Sequence, residues 1–384
     1  MPQKILHLIG SNSVGGPEKQ ILHHAVDLQD SPFEVEVGSF HDLAEKPEIL
    51  VEAERRGHST VCLSGGLKAG LITELAGILR ARPGVILCTH GFKANVLGYL
   101  ATRRTKTPHV AFVRGWTAET WRVRLYEMLE RQALARAQWV VCVSHKQAVE
   151  VGRRRKGSRA PMVVCNAMLP PFSRAGGVAV SREKLGIPAG AFVYGSVGRL
   201  SAEKGHRYML EAFYRVCERT AEGDKPFLIV VGDGREQAPL EAQAASLGLR
   251  ERIHFAGYQG NCSDWMKLMD CMVQPSLTEG TPNSVLEALC LQLPVVATAV
   301  GGVPDLIVHN RNGLLVPPAD AKQLGEAMQT VAASPSLREK LRSGGAMTAE
   351  EYSPLTQRRK LLEVYERVLR AEGVVARDGA FREA

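Results

Sequence analysis

Thirteen short runs rich in Val, Ile, Leu and Phe, separated by stretches of helical period, follow one another along the chain, and this alternation restricts the possible folds more than any other feature. Parallel strands cannot be joined by tight hairpins and need long crossovers. The pattern therefore predicts parallel sheets covered by helices on both faces, the doubly wound α/β class. One series of strands is expected at 4–9, 34–39, 58–63, 84–89, 108–113, 138–143 and 162–165, and a second at 191–197, 226–231, 252–256, 271–274, 294–299 and 313–316. Between them Met168 to Arg182 is rich in Pro, Gly, Ser and Ala. Two domains follow, an N-terminal one over 1–170 and a C-terminal one over 183–352, with a linker over 171–182. In the remaining segment, 353–384, Gln357–Ala371 places Leu361, Leu362, Val364, Tyr365, Val368 and Leu369 on an amphipathic helix. Such a helix needs a surface to cover; it is expected to cross back to the N-terminal domain before a polar tail.

At 384 residues, 45% of them hydrophobic and 23% charged, the chain can bury two ordinary cores and is not of disordered composition. No stretch reaches the roughly 18 uninterrupted apolar residues of a spanning helix, and Met1 to Lys4 runs straight into a strand-like segment. Neither a membrane span nor a signal peptide is expected. Cys62, Cys88, Cys142, Cys165 and Cys271 fall in strand-like runs and are expected to be buried thiols. With no C-x-x-C or Cys/His ligand spacing, a cytoplasmic location without structural zinc fits best.

The net charge of +8 is localised. Residues 80–159 carry 17 basic and 4 acidic side chains, against 6 and 11 in 1–79 and 25 and 25 beyond 159. Arg103, Arg104, Lys106, Arg122, Arg124, Arg131, Arg136 and the run Arg153 to Lys156 predict a positive face on the N-terminal domain. That face is either ordinary solvated charge or an attraction for an anionic membrane leaflet or a phosphorylated acceptor. No recognition motif or aromatic interleaving accompanies it, so nucleic acid is not an expected partner.

The segment Glu279-Gly280-Thr281-Pro282-Asn283-Ser284-Val285-Leu286-Glu287 contains a helix start, with Thr281 expected as N-cap and Pro282 in the first helical position. Unpaired N–H groups and the positive end of the helix dipole suit a phosphate, while the two flanking carboxylates suit hydroxyls. A nucleotide sugar carries both. Glu279 is then expected near the sugar and Glu287 near a ribose diol.

With two such domains in series, this carboxylate pair, and the downstream run Pro294 to Asp305, the chain resembles family 4 of the retaining glycosyltransferases. That resemblance implies the GT-B fold, two Rossmann-like domains facing a cleft. Gly198-Arg199-Leu200-Ser201-Ala202-Glu203-Lys204-Gly205 looks like the family's phosphate-clamping loop, which implies that Arg199 and Lys204 hold the donor diphosphate as charge grows on it. Gly15-Gly16-Pro17-Glu18 resembles its glycine loop, and Gly232 and Tyr258 resemble donor-binding positions. Gly280, Thr281, Pro282, Asn283 and Ser284 complete the donor set. His90, Asn95 and Arg114 would touch the acceptor or line the cleft. Arg114 stands where many relatives place a histidine; a guanidinium stays protonated and cannot serve as a base. Front-face attack, in which the departing phosphate takes the acceptor's proton, needs no such base.

The resemblance thus implies retaining transfer of a sugar from a nucleoside diphosphate sugar, UDP before GDP, to a hydroxyl of a glycan or lipid-linked acceptor. No Asp-x-Asp follows a strand, so no metal or other cofactor is expected. A sugar phosphorylase, a nucleotide-sugar epimerase and a non-catalytic nucleotide-binding or nucleic-acid-binding protein remain open as alternatives.

Overall fold

The computed structural model describes residues 3–11, 14–41, 45–64, 68–115, 121–156, 159–167 and 180–373. The chain divides into two compact units, the first made of 1–167 and 354–384 and the second of 168–353. The expected linker over 171–182 lies outside the described residues as far as 179, as does the tail beyond 373.

Unit 1 alternates β1 (Gln3–Ile9), α1 (Gly16–Asp27), β2 (Phe33–Phe40), α2 (Glu48–Arg55), β3 (Thr60–Leu63), α3 (Lys68–Arg80), β4 (Ile86–His90), α4 (Gly91–Thr105), β5 (His109–Val113), α5 (Trp121–Arg136), β6 (Trp139–Cys142), α6 (His145–Arg154) and β7 (Met162–Val163). Its sheet has the order β3-β2-β1-β4-β5-β6-β7, and every ladder is parallel. Unit 2 continues with β8 (Val193–Val197), α7 (His206–Glu218), β9 (Phe227–Val231), α8 (Gln237–Ser246), β10 (Ile253–Gly257), α9 (Cys262–Met266), β11 (Cys271–Gln274), α10 (Asn283–Cys290), β12 (Val295–Thr298), α11 (Val303–Leu306), β13 (Leu314–Val316), α12 (Ala321–Ala333) and α13 (Pro335–Glu351). Its parallel sheet runs β10-β9-β8-β11-β12-β13. Each sheet therefore reverses its strand order once, between β1 and β4 and between β8 and β11, the places where doubly wound sheets leave a crevice at the strands' carboxyl ends.

Both sheets are apolar on both faces, as expected where helices cover them twice. In unit 2, Tyr194, Phe213, Leu228 and Val273 pack on one side and Ile229, Met272, Val285 and Leu289 on the other. In unit 1, α14 (Pro354–Ala371) supplies Leu361, Val364, Tyr365, Val368 and Leu369 to the core formed by Ile5, Phe33, Ile86, Val110 and Val141. Gln357, at the start of that helix, donates to Gln20 Oε1 and to the Cys165 carbonyl at 2.9 Å each.

Two local expectations are corrected. Cys62 is exposed, because β3 is the edge strand and its alternation turns that side chain outward; Cys88, Cys142, Cys165 and Cys271 are buried. Pro282, not Thr281, is the N-cap of α10. With ψ at 115° the proline is still extended, and its carbonyl accepts the first helical bonds from Val285 and Leu286. The extended ψ of the proline itself moves the helix start one residue along.

Candidate functional site

In unit 2 the switch point brings together two loops that are far apart in sequence. Residues 198–205 leave β8 and residues 275–282 leave β11. Across them Lys204 Nζ lies 2.7 Å from Glu279 Oε1. The same oxygen accepts from Gln274 Nε2 at 2.8 Å and Ser276 Oγ at 2.7 Å, and the carboxylate side chain is only 6% exposed. Three donors thus converge on one oxygen and fix the carboxylate's direction. Arg199 is more open to solvent and is steered from within its own loop: its Nη2 donates to Glu203 Oε1 at 2.7 Å, and Ser201 also bonds that oxygen. Gln274, Ser276 and Glu203 carry this arrangement without having been expected to. Their signal in the sequence was a polar residue closing an apolar strand and an acid between two cations.

Glycine lets the loops around this pair approach backbone to backbone. A Cβ on Gly205 (φ +66°) would stand 2.2 Å from the Pro275 carbonyl oxygen, and one on Gly301 (φ +54°) 1.8 Å from that of Glu279. Gly232 (φ +133°) packs against the Gly198 carbonyl in the same way. The Leu277 amide donates to the Glu203 carbonyl at 2.7 Å, and the Gly302 amide to that of Gly280 at 2.8 Å. The loops after β8, β9, β11 and β12 therefore form one platform, and Gly232 belongs to it by packing.

Gly280, Thr281, Pro282, Asn283 and Ser284 lead from Glu279 into the N-terminus of α10, where Ser284 Oγ donates to Gln274 Oε1 at 3.2 Å. Glu287, one turn further, is half-buried. Tyr258 follows the edge strand β10 and is 60% exposed, so its ring is not part of a core. The chemistry assembled here is two cations and a helix N-terminus, suited to a diphosphate, beside an oriented carboxylate suited to hydroxyls. Among the described residues no three His, Cys, Asp or Glu side chains cluster as a metal site.

Unit 1 fills its own switch point differently. Gly15 is the N-cap of α1, and its amide donates to Glu18 Oε2 at 3.0 Å. That N–H is therefore held by the capping carboxylate of Glu18; Gly16 is the first helical residue, followed by Pro17. Asn95 is corrected. It is fully buried, and its amide donates to the Phe112 carbonyl at 3.1 Å and to Glu130 Oε1 at 2.6 Å, so it braces α4 against β5 and α5. His90 is also buried and both its ring nitrogens are engaged, Nε2 with His7 Nδ1 at 2.8 Å and Nδ1 with Arg114. It supports Arg114 instead of meeting an acceptor. Of the three expected acceptor residues only Arg114, at the end of β5, is partly exposed. Burial brings its pKa down to about 10, opposed by the charge of Glu18, so it stays a cation.

A cavity of about 20 Å³ beside Arg114, bounded by His7, Gln20, His24, His90 and Gln357, has room for one water. Elsewhere on unit 1 a groove of about 760 Å³ lies along α5 and α6, with Arg124, Arg131, Arg136, Arg154 and Lys156 around Met128. Leu125, Met128 and Leu129 are more than 40% exposed on α5, so the excess basic charge sits beside bare apolar surface.

Two doubly wound domains, the second with a cation-and-carboxylate platform at its switch point, define a two-domain nucleotide-binding α/β protein. The profile described as "Glycosyl transferases group 1" matches residues 178–347, and that described as "Glycosyl transferase 4-like domain" matches residues 15–167. The chain belongs to this family of glycosyltransferases. It is 29% identical to a 2-deoxystreptamine glucosyltransferase of Streptomyces kanamyceticus, over 79% of this chain and 83% of that one. It is 25% identical to a D-inositol 3-phosphate glycosyltransferase of Streptomyces avermitilis, over 95% and 86%. Its fold matches that of Anabaena HepE in complex with UDP-glucose, with a TM-score of 0.80 at 20% identity over 95% of this chain and 99% of the other. The GT-B fold is thus established.

Proposed function

We propose that the protein transfers a sugar from a UDP-sugar, with retention of anomeric configuration and without a metal ion, to a hydroxyl of an anionic glycan or lipid-linked acceptor. The observation that carries this reading is the Lys204–Glu279 pair across the switch point of unit 2, with Arg199 in the same loop. Lys204 and Arg199 hold the diphosphate and oppose the charge that develops as it leaves, the work a divalent ion does elsewhere. Glu279 orients the donor sugar and Glu287 the ribose. The acceptor hydroxyl attacks on the face the diphosphate leaves, which takes the proton, so no histidine base is required at the position of Arg114.

The UDP assignment is supported by the Anabaena neighbour solved with UDP-glucose. An anionic acceptor is supported by the basic groove on α5 and α6, and the exposed Leu125, Met128 and Leu129 beside it suit peripheral contact with an anionic membrane. A cytoplasmic location is part of the same reading; among the described residues no helix is long and apolar enough to cross a membrane.

A thermal-shift panel of UDP, GDP, ADP and their sugars tests the donor assignment, since a ligand bound only by the native state raises its stability. UDP and UDP-sugars are expected to give the largest shifts, unchanged by EDTA. Loss of the shift and of turnover in EDTA, restored by Mn²⁺, would overturn metal independence. The anomeric configuration of the product, read by NMR, decides retention.

A further inference from the structure

Five side chains of unit 1 form one hydrogen-bonded file from the end of β5, through the C-terminal helix, to α1. Arg114 reaches His90 Nδ1 with Nη2 at 3.1 Å and Nε at 3.3 Å. His90 Nε2 lies 2.8 Å from His7 Nδ1, His7 Nε2 lies 3.2 Å from the Tyr365 hydroxyl, and that hydroxyl lies 2.8 Å from His24 Nε2. The members come from the residue after β5 and from β4, β1, α14 and α1.

The direction of this file is fixed at one end. A guanidinium has only donors, so His90 Nδ1 must be a bare acceptor. Burial lowers His7 to about 3 and holds His24 and His90 well below the ordinary imidazole range, so each ring is neutral and carries one proton. The His90 proton is therefore on Nε2 and is given to His7 Nδ1. The His7 proton is then on Nε2 and is given to the Tyr365 oxygen. Tyr365 keeps its own hydrogen for His24, or for the Cys88 thiol that also bonds it. Reversing either ring would set two N–H groups or two lone pairs against each other in a buried site.

We propose that His7 and Tyr365 are positioning residues for Arg114, acting through His90 to aim its guanidinium at an anionic group of the donor or acceptor. A neutral imidazole suits this task because it orients the guanidinium without cancelling its charge, as a carboxylate would. On its other side Arg114 donates to Asn166 Oδ1 at 2.9 Å, so the guanidinium is held from two directions. The C-terminal helix thus contributes Tyr365 to the site as well as apolar surface to the core. The inference rests on the transferase reading above.

The test is a long-range ¹H–¹⁵N correlation spectrum of the full-length protein with labelled histidine at pH 7. His90 and His7 are expected as Nε2–H tautomers. Tyr365→Phe removes the acceptor for His7 Nε2–H and loosens that ring, while Arg114, with donors only, still holds His90 as the Nε2–H tautomer. The kcat should fall roughly tenfold, as a misdirected contact group costs, while KM for the nucleotide sugar stays within about twofold. His7→Gln, which can both accept from His90 and donate to Tyr365, is expected to retain more activity than His7→Leu. A wild-type His90 carrying its proton on Nδ1 overturns the proposal whether or not the variants fold. So does a Tyr365→Phe protein with wild-type kcat. Wild-type protein with the expected tautomers that transfers sugar from no nucleotide sugar would instead defeat the transferase reading and leave the direction of the file standing.

Discussion

Lys204 Nζ and Glu279 Oε1 are 2.7 Å apart although 75 residues separate them, so the cation expected to hold a diphosphate is paired with a carboxylate. Donor binding must therefore draw Lys204 from one anion to another. Glu279→Gln removes that competition while keeping an oxygen for Gln274 and Ser276. It is expected to bind UDP about three- to tenfold more tightly, the equivalent of about 1 kcal/mol for a partly exposed ion pair. It is also expected to transfer sugar more slowly. Calorimetry with UDP beside a turnover assay measures both, and weaker UDP binding by the variant would contradict the exchange.

Gly301 is the tightest point of the platform. A Cβ there would stand 1.8 Å from the Glu279 carbonyl oxygen, at a φ that by itself costs a side chain about 1–2 kcal/mol. Gly301→Ala is expected to lower the urea midpoint of unit 2 and to displace Glu279, abolishing donor binding with the far-ultraviolet spectrum unchanged. A variant with wild-type UDP affinity would show that Glu279 does not depend on this contact.

Acid should destabilise the protein well before its carboxylates titrate. Burial lowers His7 to about 3 and His109 and His206 to about 4, and takes His24 and His90 well below the ordinary value. Below pH of about 6.5 the unfolded chain binds protons that the folded chain refuses. Stability is therefore full above that pH and falls as pH drops, each imidazole removing about 1.4 kcal/mol per pH unit down to its folded pKa. Four of the five lie in unit 1, which should be the more acid-sensitive. Urea midpoints at pH 7.5, 6.0 and 5.0 measure this, and constant midpoints down to pH 5.0 would rule it out.

Truncation at Ser353 removes Leu361, Val364, Tyr365, Val368 and Leu369 from the core of unit 1, each a side chain whose burial is worth about 1.5–3 kcal/mol. Unit 1 is expected to lose its cooperative melting transition while unit 2 keeps its own. A truncated protein that melts as the full chain does would mean that the helix contributes little.

The strands were legible because parallel sheets buried on both faces need continuous apolar runs, and all thirteen expected runs contain a strand. The edge defeated the same reasoning at Cys62, where β3 has only one neighbour and one face turns to solvent. In the candidate site, Glu279 was visible from the helix start beside it, and Arg199 and Lys204 from the resemblance of their loop to the family's phosphate-clamping loop. Gln274, Ser276 and Glu203 were not, because a polar residue closing an apolar strand or an acid between two cations does not say which neighbour it will hold. His90 and Asn95 were placed at the right strand end, yet a sequence does not say whether a polar side chain there faces outward or is spent on neighbours. His7, inside an apolar strand, was the unused signal: a polar residue in a buried run must find partners, and its partners are His90 and Tyr365.

If Arg199 and Lys204 hold the diphosphate of the donor, titrating UDP and UMP calorimetrically into the wild-type protein and an Arg199→Ala, Lys204→Ala variant will separate the two nucleotides. UDP is expected to bind wild type at least tenfold more tightly than UMP, a difference of about 1.4 kcal/mol for charge-assisted contacts to the second phosphate. The variant should bind the two nucleotides alike. An unchanged preference for UDP in the variant, or no preference in wild type, would contradict the account.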